Sequence, residues 1–446
     1  MNLHTLLKTG FAVVIVSVNT YSQDRLEINL EQAKIHAAES NHRMRIAELD
    51  GEAARFRIKE ITAAGLPQIS GDVSYMDNIA IPVQLIPGDF FGFPGQDLEV
   101  QFGTKYSMNA GLTVNQLLFS GSYLVALQAA REYMETTRRE KVKTRIEVER
   151  SVSEAYFLVA ATKESIAVID SLLSVTNRLE KETREIFEAG LLEETDLDQL
   201  VLMASELEMS RDNASLNLKV ARSLLLFHMG METSTEVVLQ EDLSDLIEAF
   251  DPAGLFAKQF DPSSNIDMLL LKQQQKLAEL QIKLDKSAFL PSLSAFFNYQ
   301  NYAQRPEWNF FDTSGKWYQN AMFGVSLSIP ILSSGERMAK LRQSQISFRQ
   351  TKVAEDQLSE SLKLKHQRAL NELINSWKNL ENTDLNKTMA KRIFERTGVK
   401  FREGMAGSLE LLNAHNQYLN SHSRYINSAL TLLNKKLEVD EILLQN

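Results

Sequence analysis

The chain says nearly the same thing twice. Residues 64–75 read AGLPQISGDVSY and residues 288–299 read AFLPSLSAFFNY. GLTVNQLLFSGS at 111–122 is matched by GVSLSIPILSSG at 324–335, and FEAGLLEETDLDQL at 187–200 by FREGMAGSLELLNA at 401–414. The three pairs come in the same order at nearly the same offset. Such duplication outranks any local motif as a guide to architecture. It divides the chain into a first repeat, 23–240, and a second, 241–446. Each is expected to run helix, strand, strand, very long helix, tip, helix.

The long helices follow from what is missing. Residues 122–189 and 336–397 contain neither Gly nor Pro and are rich in Glu, Lys, Arg, Leu, Ala and Ser. Helix formers without breakers over such a span predict continuous helices at about 122–188 and 335–397. At 1.5 Å per residue, about 65 residues reach roughly 100 Å, so other helices must support them. Residues 191–229 and 408–446 also lack Gly and Pro and are expected to fold back antiparallel. Their apolar faces are expected at Leu197, Leu200, Met203, Leu207 and Met209, and at Leu409, Leu412, Leu419 and Ile426. Residues 26–62 and 263–288 also read as helical.

Four segments alternate with period two, at about 66–76, 106–118, 290–302 and 317–331. Ile69, Gly71, Val73 and Tyr75 alternate with Gln68, Ser70, Asp72 and Ser74. Tyr106, Met108, Ala110, Leu112 and Val114 alternate with Ser107, Asn109, Gly111, Thr113 and Asn115. In the second repeat Leu293, Ala295, Phe297 and Tyr299 oppose Ser294, Phe296, Asn298 and Gln300. Finally Ala321, Phe323, Val325, Leu327 and Ile329 oppose Asn320, Met322, Gly324, Ser326 and Ser328. About ten residues, apolar on one side and small-polar on the other, fit an outer-membrane barrel strand; a half-buried strand of a soluble sandwich alternates likewise. Phe90, Phe91 and Phe93 in the first repeat, and Trp308, Phe310, Phe311, Trp317 and Tyr318 in the second, could form an aromatic girdle. Four strands cannot close a barrel, and open edges are not tolerated in lipid, so membrane-spanning strands would require several chains to share one barrel.

Composition excludes much else. A formal net charge of −10 argues against nucleic-acid binding. No Cys is present, which removes disulfides, thiolate sites and a lipid anchor on an N-terminal Cys. Residues 1–22 are expected to be an export signal: Lys8, an apolar run from Gly10 to Val18, then the small polar exit Thr20-Tyr21-Ser22. No nucleotide, metalloprotease or hydrolase motif occurs, so neither an enzyme nor a cofactor is expected. His415 and His422 are seven apart and could share a helix face; they read as ordinary surface or lumen histidines rather than a metal site.

The LPQIS and LPSLS entries, the GLTVNQLLFSGS and GVSLSIPILSSG exits and the paired tips resemble a TolC-like outer-membrane efflux protein of the type common in Bacteroidetes. The resemblance spans nearly the whole mature chain. It implies a mainly α protein with a β-barrel portion: a homotrimer with a 12-stranded outer-membrane β-barrel continuous with a long periplasmic α-helical barrel. It further implies a passive exit duct of tripartite efflux or type I secretion. The duct would dock on a periplasmic adaptor (membrane fusion) protein and an inner-membrane RND or ABC transporter. By the same resemblance, Phe187, Gly190, Leu191, Phe401, Gly404 and Met405 form the adaptor-docking tips. Glu410, Asn413 and Asp196 align with a cation-binding lumen constriction. Asn413 stands where relatives have a second acid, and Ala406 where a basic residue is common. The main alternative is a periplasmic coiled-coil structural or adaptor protein without membrane strands; a pore-forming toxin and a hydrolase are weaker.

Overall fold

The computed structural model describes residues 26–87, 89, 92, 95–251, 254 and 260–443. The expected signal at 1–22 and Phe90, Phe91 and Phe93 lie outside the described residues. The elements run β1 (Leu26–Ile28), α1 (Leu30–Ser40), α2 (His42–Ala63), β2 (Gln68–Asp77), β3 (Val83–Pro87), β4 (Asp97–Gln101) and β5 (Tyr106–Ser120). Then come α3 (Gly121–Glu188), α4 (Glu194–Met229), β6 (Val237–Leu239), α5 (Leu243–Glu248) and α6 (Ile266–Ser287). The chain finishes with β7 (Ser292–Arg305), β8 (Tyr318–Ser328), α7 (Glu336–Arg402) and α8 (Ser408–Leu443). The chain divides into two compact units, and each draws on both repeats.

One unit holds most of α2, β2 to β5, α6, β7, β8 and the first parts of α3 and α7. Its sheet is antiparallel in the order β2-β5-β7-β8, so the two repeats join through β5 and β7. Pro67 and Pro291 stand just before the first strand of each repeat, where a missing N–H costs no ladder bond. The α2-to-β2 turn is pinned by Gln116, whose amide donates to the Gly65 carbonyl at 2.8 Å, and by Tyr123, whose hydroxyl donates to the Thr62 carbonyl at 3.1 Å. Gly65 is required there, because a Cβ would fall 2.2 Å from the Tyr123 hydroxyl oxygen. β8 stops at Ser328 rather than near 331, two residues before Pro330, which cannot donate to a ladder. The small hairpin β3–β4, paired from Val83↔Gln101 to Pro87↔Asp97, was not expected from the sequence.

The other unit holds β1, α1, the Glu147–Glu188 end of α3, α4, β6, α5, the Ala369–Arg402 end of α7 and most of α8. Its α3 segment buries Val148, Val152, Ala155 and Val159, then Ile169, Leu172, Thr176 and Leu179. Its α7 segment buries Ala369, Leu373, Ser376 and Leu380, then Ala390, Phe394 and Thr397. Alternating steps of three and four are the seam of a coiled coil. Ile169, Leu172, Leu179, Leu200, Leu207, Phe394, Leu411 and Ala414 close into one apolar cluster joining α3, α4, α7 and α8.

Four expectations need correction. His415 and His422 are buried in the helical unit, not surface or lumen histidines. Met209 is 63 % exposed and Leu409 60 % exposed, so neither lies on the buried face of its helix; Leu411 does, with no exposure. Residues 26–62 are not one helix. Leu26–Ile28 pairs in parallel with Val237–Leu239. The helix then breaks at Asn41, whose side chain donates to the His228 carbonyl and accepts from the Arg43 N–H at 2.7 Å. Phe310 is 2 % exposed, with its ring 6.0 Å from Tyr75 and 6.4 Å from Trp317, so it anchors a loop rather than contributing to a girdle.

Candidate functional site

The two helix tips are built alike. α3 ends with Gly190 at φ +76° and α7 with Gly404 at φ +70°. The Gly190 N–H donates to the Phe187 carbonyl at 2.8 Å and the Leu191 N–H to the Ile186 carbonyl at 3.2 Å. The Gly404 N–H donates to Phe401 at 3.0 Å and the Met405 N–H to Lys400 at 2.8 Å. Both are Schellman caps, which satisfy the last helix carbonyls and need a residue free to adopt positive φ. Each cap pushes an apolar side chain outward: Leu191 is 78 % exposed and Met405 70 %. Phe187 and Phe401 are half-buried, and Phe401 packs on the apolar cluster. Between the tips lies a groove of about 550 Å³, walled by Leu179, Ile186, Leu191, Phe401 and Met405, with Arg402 at its edge.

The residues aligned with a constriction do not act alike. The Asp196 carboxylate accepts from the Ser408 hydroxyl and, at 3.4 Å, from the Ser408 N–H. It sits in the first turn of α4 and at the start of α8, where two sets of free N–H groups favour a negative charge. Asp196 therefore ties the first tip to the second. Glu410 and Asn413 are exposed and make no such tie. They begin a stripe along α8 that continues through Gln417, Asn420, Arg424, Asn427 and Thr431, all exposed and spaced by three and four residues. α4 is different on its open side, where Leu202, Met209, Leu216, Val220 and Phe227 are exposed. Ala406 is half-buried in the groove wall.

The strand register brings the four alternating patterns into line. Ile69, Val114, Phe297 and Phe323 form one row across the sheet; Gly71, Leu112, Tyr299 and Ala321 form the next. Rows from the other face read Ser70, Thr113, Asn298, Met322 and Asp72, Gly111, Gln300, Asn320. Asp72 lies across Gly111, where a Cβ would meet its Oδ1 at 3.1 Å. Phe296, the misfit on the polar face, lays its ring over Gly324 directly opposite. This face of the sheet is apolar across those two rows and exposed, Phe323 by 72 %; one row further on, Val73 and Ala110 are joined by the polar Asn301 and Gln319. The outer edges of β2 and β8 have no partner strand in the sheet.

A profile of the outer membrane efflux protein family matches residues 36–202 and 263–443. The chain belongs to this family. Outer membrane protein TolC of Vibrio cholerae is 23 % identical over 241 residues, a match spanning 54 % of this chain and 55 % of the relative. The chain thus aligns with about half the length of that curated relative. Among proteins of known structure, the fold is similar to the outer membrane protein VceC of Vibrio cholerae, at TM-score 0.66 and 13 % identity over 93 % of this chain and 95 % of the other. It is also similar to the open state of the Neisseria gonorrhoeae MtrE outer membrane channel, at TM-score 0.68 and 17 % identity over 93 % and 88 %. The mainly helical fold with its four-stranded sheet is that of this family of outer-membrane channels.

Sequence reasoning located the Gly-containing tips and the alternation of the four strands, but missed Ser408. A serine opening a helix is a capping signal, yet nothing local says that its partner lies 212 residues away. The groove was missed for the same reason, since it exists only once both tips are side by side.

Proposed function

We propose that the protein is a passive exit duct in the outer membrane, assembled as a homotrimer, serving tripartite efflux or type I secretion. The observation that supports it best is the sheet: exposed apolar rows aligned on one face, a mostly polar opposite face and two unpaired edges from equivalent strands. Unpaired backbone groups cannot face lipid, so β8 of one protomer would pair with β2 of the next, and three chains would close 12 strands. The apolar face would meet lipid and the polar face line the lumen. A periplasmic coiled-coil protein would gain nothing from exposing such a face. The polar stripe headed by Glu410 would face water in a helical barrel, and the apolar stripe on α4 a neighbouring protomer. The tips and their apolar groove would receive a periplasmic adaptor, which an RND or ABC transporter joins. Asp196, engaged by Ser408, would hold the tips together rather than supply a second acid to the lumen.

Pseudo-symmetry fixes the register of the closing pair. The repeats place Thr113 onto Ser326 and Asn298 onto Ser74, and Thr113 pairs with Asn298 within the chain. Ser326 of one protomer should then face Ser74 of the next. With no native Cys, Ser74→Cys with Ser326→Cys is expected to give covalent dimers and trimers on mild oxidation in outer membranes. Thr113→Cys with Asn298→Cys should instead close within one chain. Monomer alone from the first pair, with the second pair closing normally, would contradict the shared barrel.

A further inference from the structure

His415 and His422 are 3 % and 6 % exposed, and none of their four ring nitrogens has a hydrogen-bond partner. They stand in a run of rings. Phe394 lies 5.8 Å from His415 and 6.0 Å from Tyr418; Tyr418 lies 6.1 Å from His422; His422 lies 6.0 Å from Tyr425. Leucine would suit this seam better, as Leu411 and Leu432 do on the same helix, because an unpaired buried imidazole carries a desolvation cost. A neutral ring is tolerated here; a protonated one brings a charge into an apolar seam.

The charged surroundings are uneven. α3 presents Glu164, with Oε1 3.6 Å from His422 Nε2, just beyond hydrogen-bond reach. α4 turns Glu206 toward His415. α7 brings Lys387, whose Nζ lies 3.5 Å over the Tyr425 ring, and Lys391; Asp384 and Glu395 act on Tyr425 and Tyr418 of α8. Burial, with Lys387 and Lys391, pushes His422 down to about 4. Burial also depresses His415, offset in part by the Glu206 charge. Glu164 stands close enough to pair with the His422 ring once that ring is charged.

We propose that His415 and His422 form an acid-sensitive latch: neutral, they seat the tip-proximal part of α8 against α3 and α7; protonated, they release it, with Glu164 receiving the charged His422. The sign follows from linkage. Released histidines titrate near 6.5 and seated ones lower, so the latch is fully favoured above about 6.5. It weakens as pH falls from there toward about 4 and levels off below, by about 300-fold in the ratio of seated to released forms for His422 alone. On the duct reading, the Glu410 stripe travels with α8, so release would alter conductance at the tip end.

The test is hydrogen exchange of the whole trimer in detergent between pH 7.5 and 4.5, corrected for intrinsic rates, with bilayer conductance recorded in parallel. Peptides covering 411–426 are expected to exchange at least ten-fold faster through a transition between pH 6.5 and 4, while β2 and β5 peptides stay protected. His415→Phe with His422→Phe keeps rings in the seam and is expected to abolish the transition. Glu164→Gln removes the acceptor of the charged ring and is expected to move the midpoint to lower pH. An unchanged transition in the double variant overturns the latch. If that variant forms no trimer at pH 7.5, an unmoved midpoint in Glu164→Gln overturns it instead. Exchange that responds to pH while conductance does not would leave the latch standing and tell against the duct reading.

Discussion

Val114→Arg or Leu327→Arg is expected to abolish outer-membrane assembly, whereas Asn115→Arg or Ser326→Arg leaves it intact. Val114 lies in the apolar row between Ile69 and Phe297, and Leu327 pairs with Leu293. A charge there would sit in hydrocarbon at a cost of ~2–4 kcal/mol near the midplane, incurred once per protomer. Asn115 and Ser326 lie on the polar face, where a guanidinium keeps its water and changes only ion selectivity. The measurement is the heat-modifiable trimer in outer-membrane fractions. A drop of more than ten-fold is expected for the first pair, and near wild-type amounts for the second. Equal behaviour of the two pairs would mean that the sheet does not present its faces to lipid and lumen.

The second large effect is expected at the tip end. Three copies of Glu410 in a narrow lumen would crowd like charges, a situation relieved by a bound cation. Divalent or trivalent metal is therefore expected to block wild-type conductance in planar bilayers, and Glu410→Ala to weaken that block by at least ten-fold. Asn413 lies one turn on along the same exposed stripe, so Asn413→Asp is expected to tighten the block. Asp196→Ala should behave differently. Its carboxylate is held by Ser408, so its loss is expected to raise the open fraction with the block unchanged. Equal block in wild type and Glu410→Ala would remove Glu410 from the lumen.

Several features were legible because they rest on local chemistry. Gly190 and Gly404 announce positive φ at two helix ends, and the sequence around them is duplicated. Freedom from Gly and Pro marks the long helices, although α7 runs on through Gly398 to Arg402 because its neighbours hold it there. Other features depended on partners far away in sequence. Three residues at Leu26–Ile28 carry too little pattern to declare a strand, and become one only against Val237–Leu239. Met209 and Leu409 are as apolar as their buried neighbours. Only the direction from which α3 and α7 approach decides which side of each helix is covered.

The sequence by itself determined the duplicated pattern, the two long Gly- and Pro-free helical spans, the glycines at the tips and the alternation of each strand. All of these come from backbone preference and side-chain period within a short window. Tertiary structure decided the rest. It joined the repeats through β5 and β7, and set apolar residues of all four strands in shared rows, Ile69 to Phe323 and Gly71 to Ala321. It brought Asp196 against Ser408, and enclosed His415 and His422 in a seam where their ring nitrogens find no partner. The physical reason is that alternation gives each strand two faces without choosing between them. The choice is made when hydrogen-bond register forces like faces together.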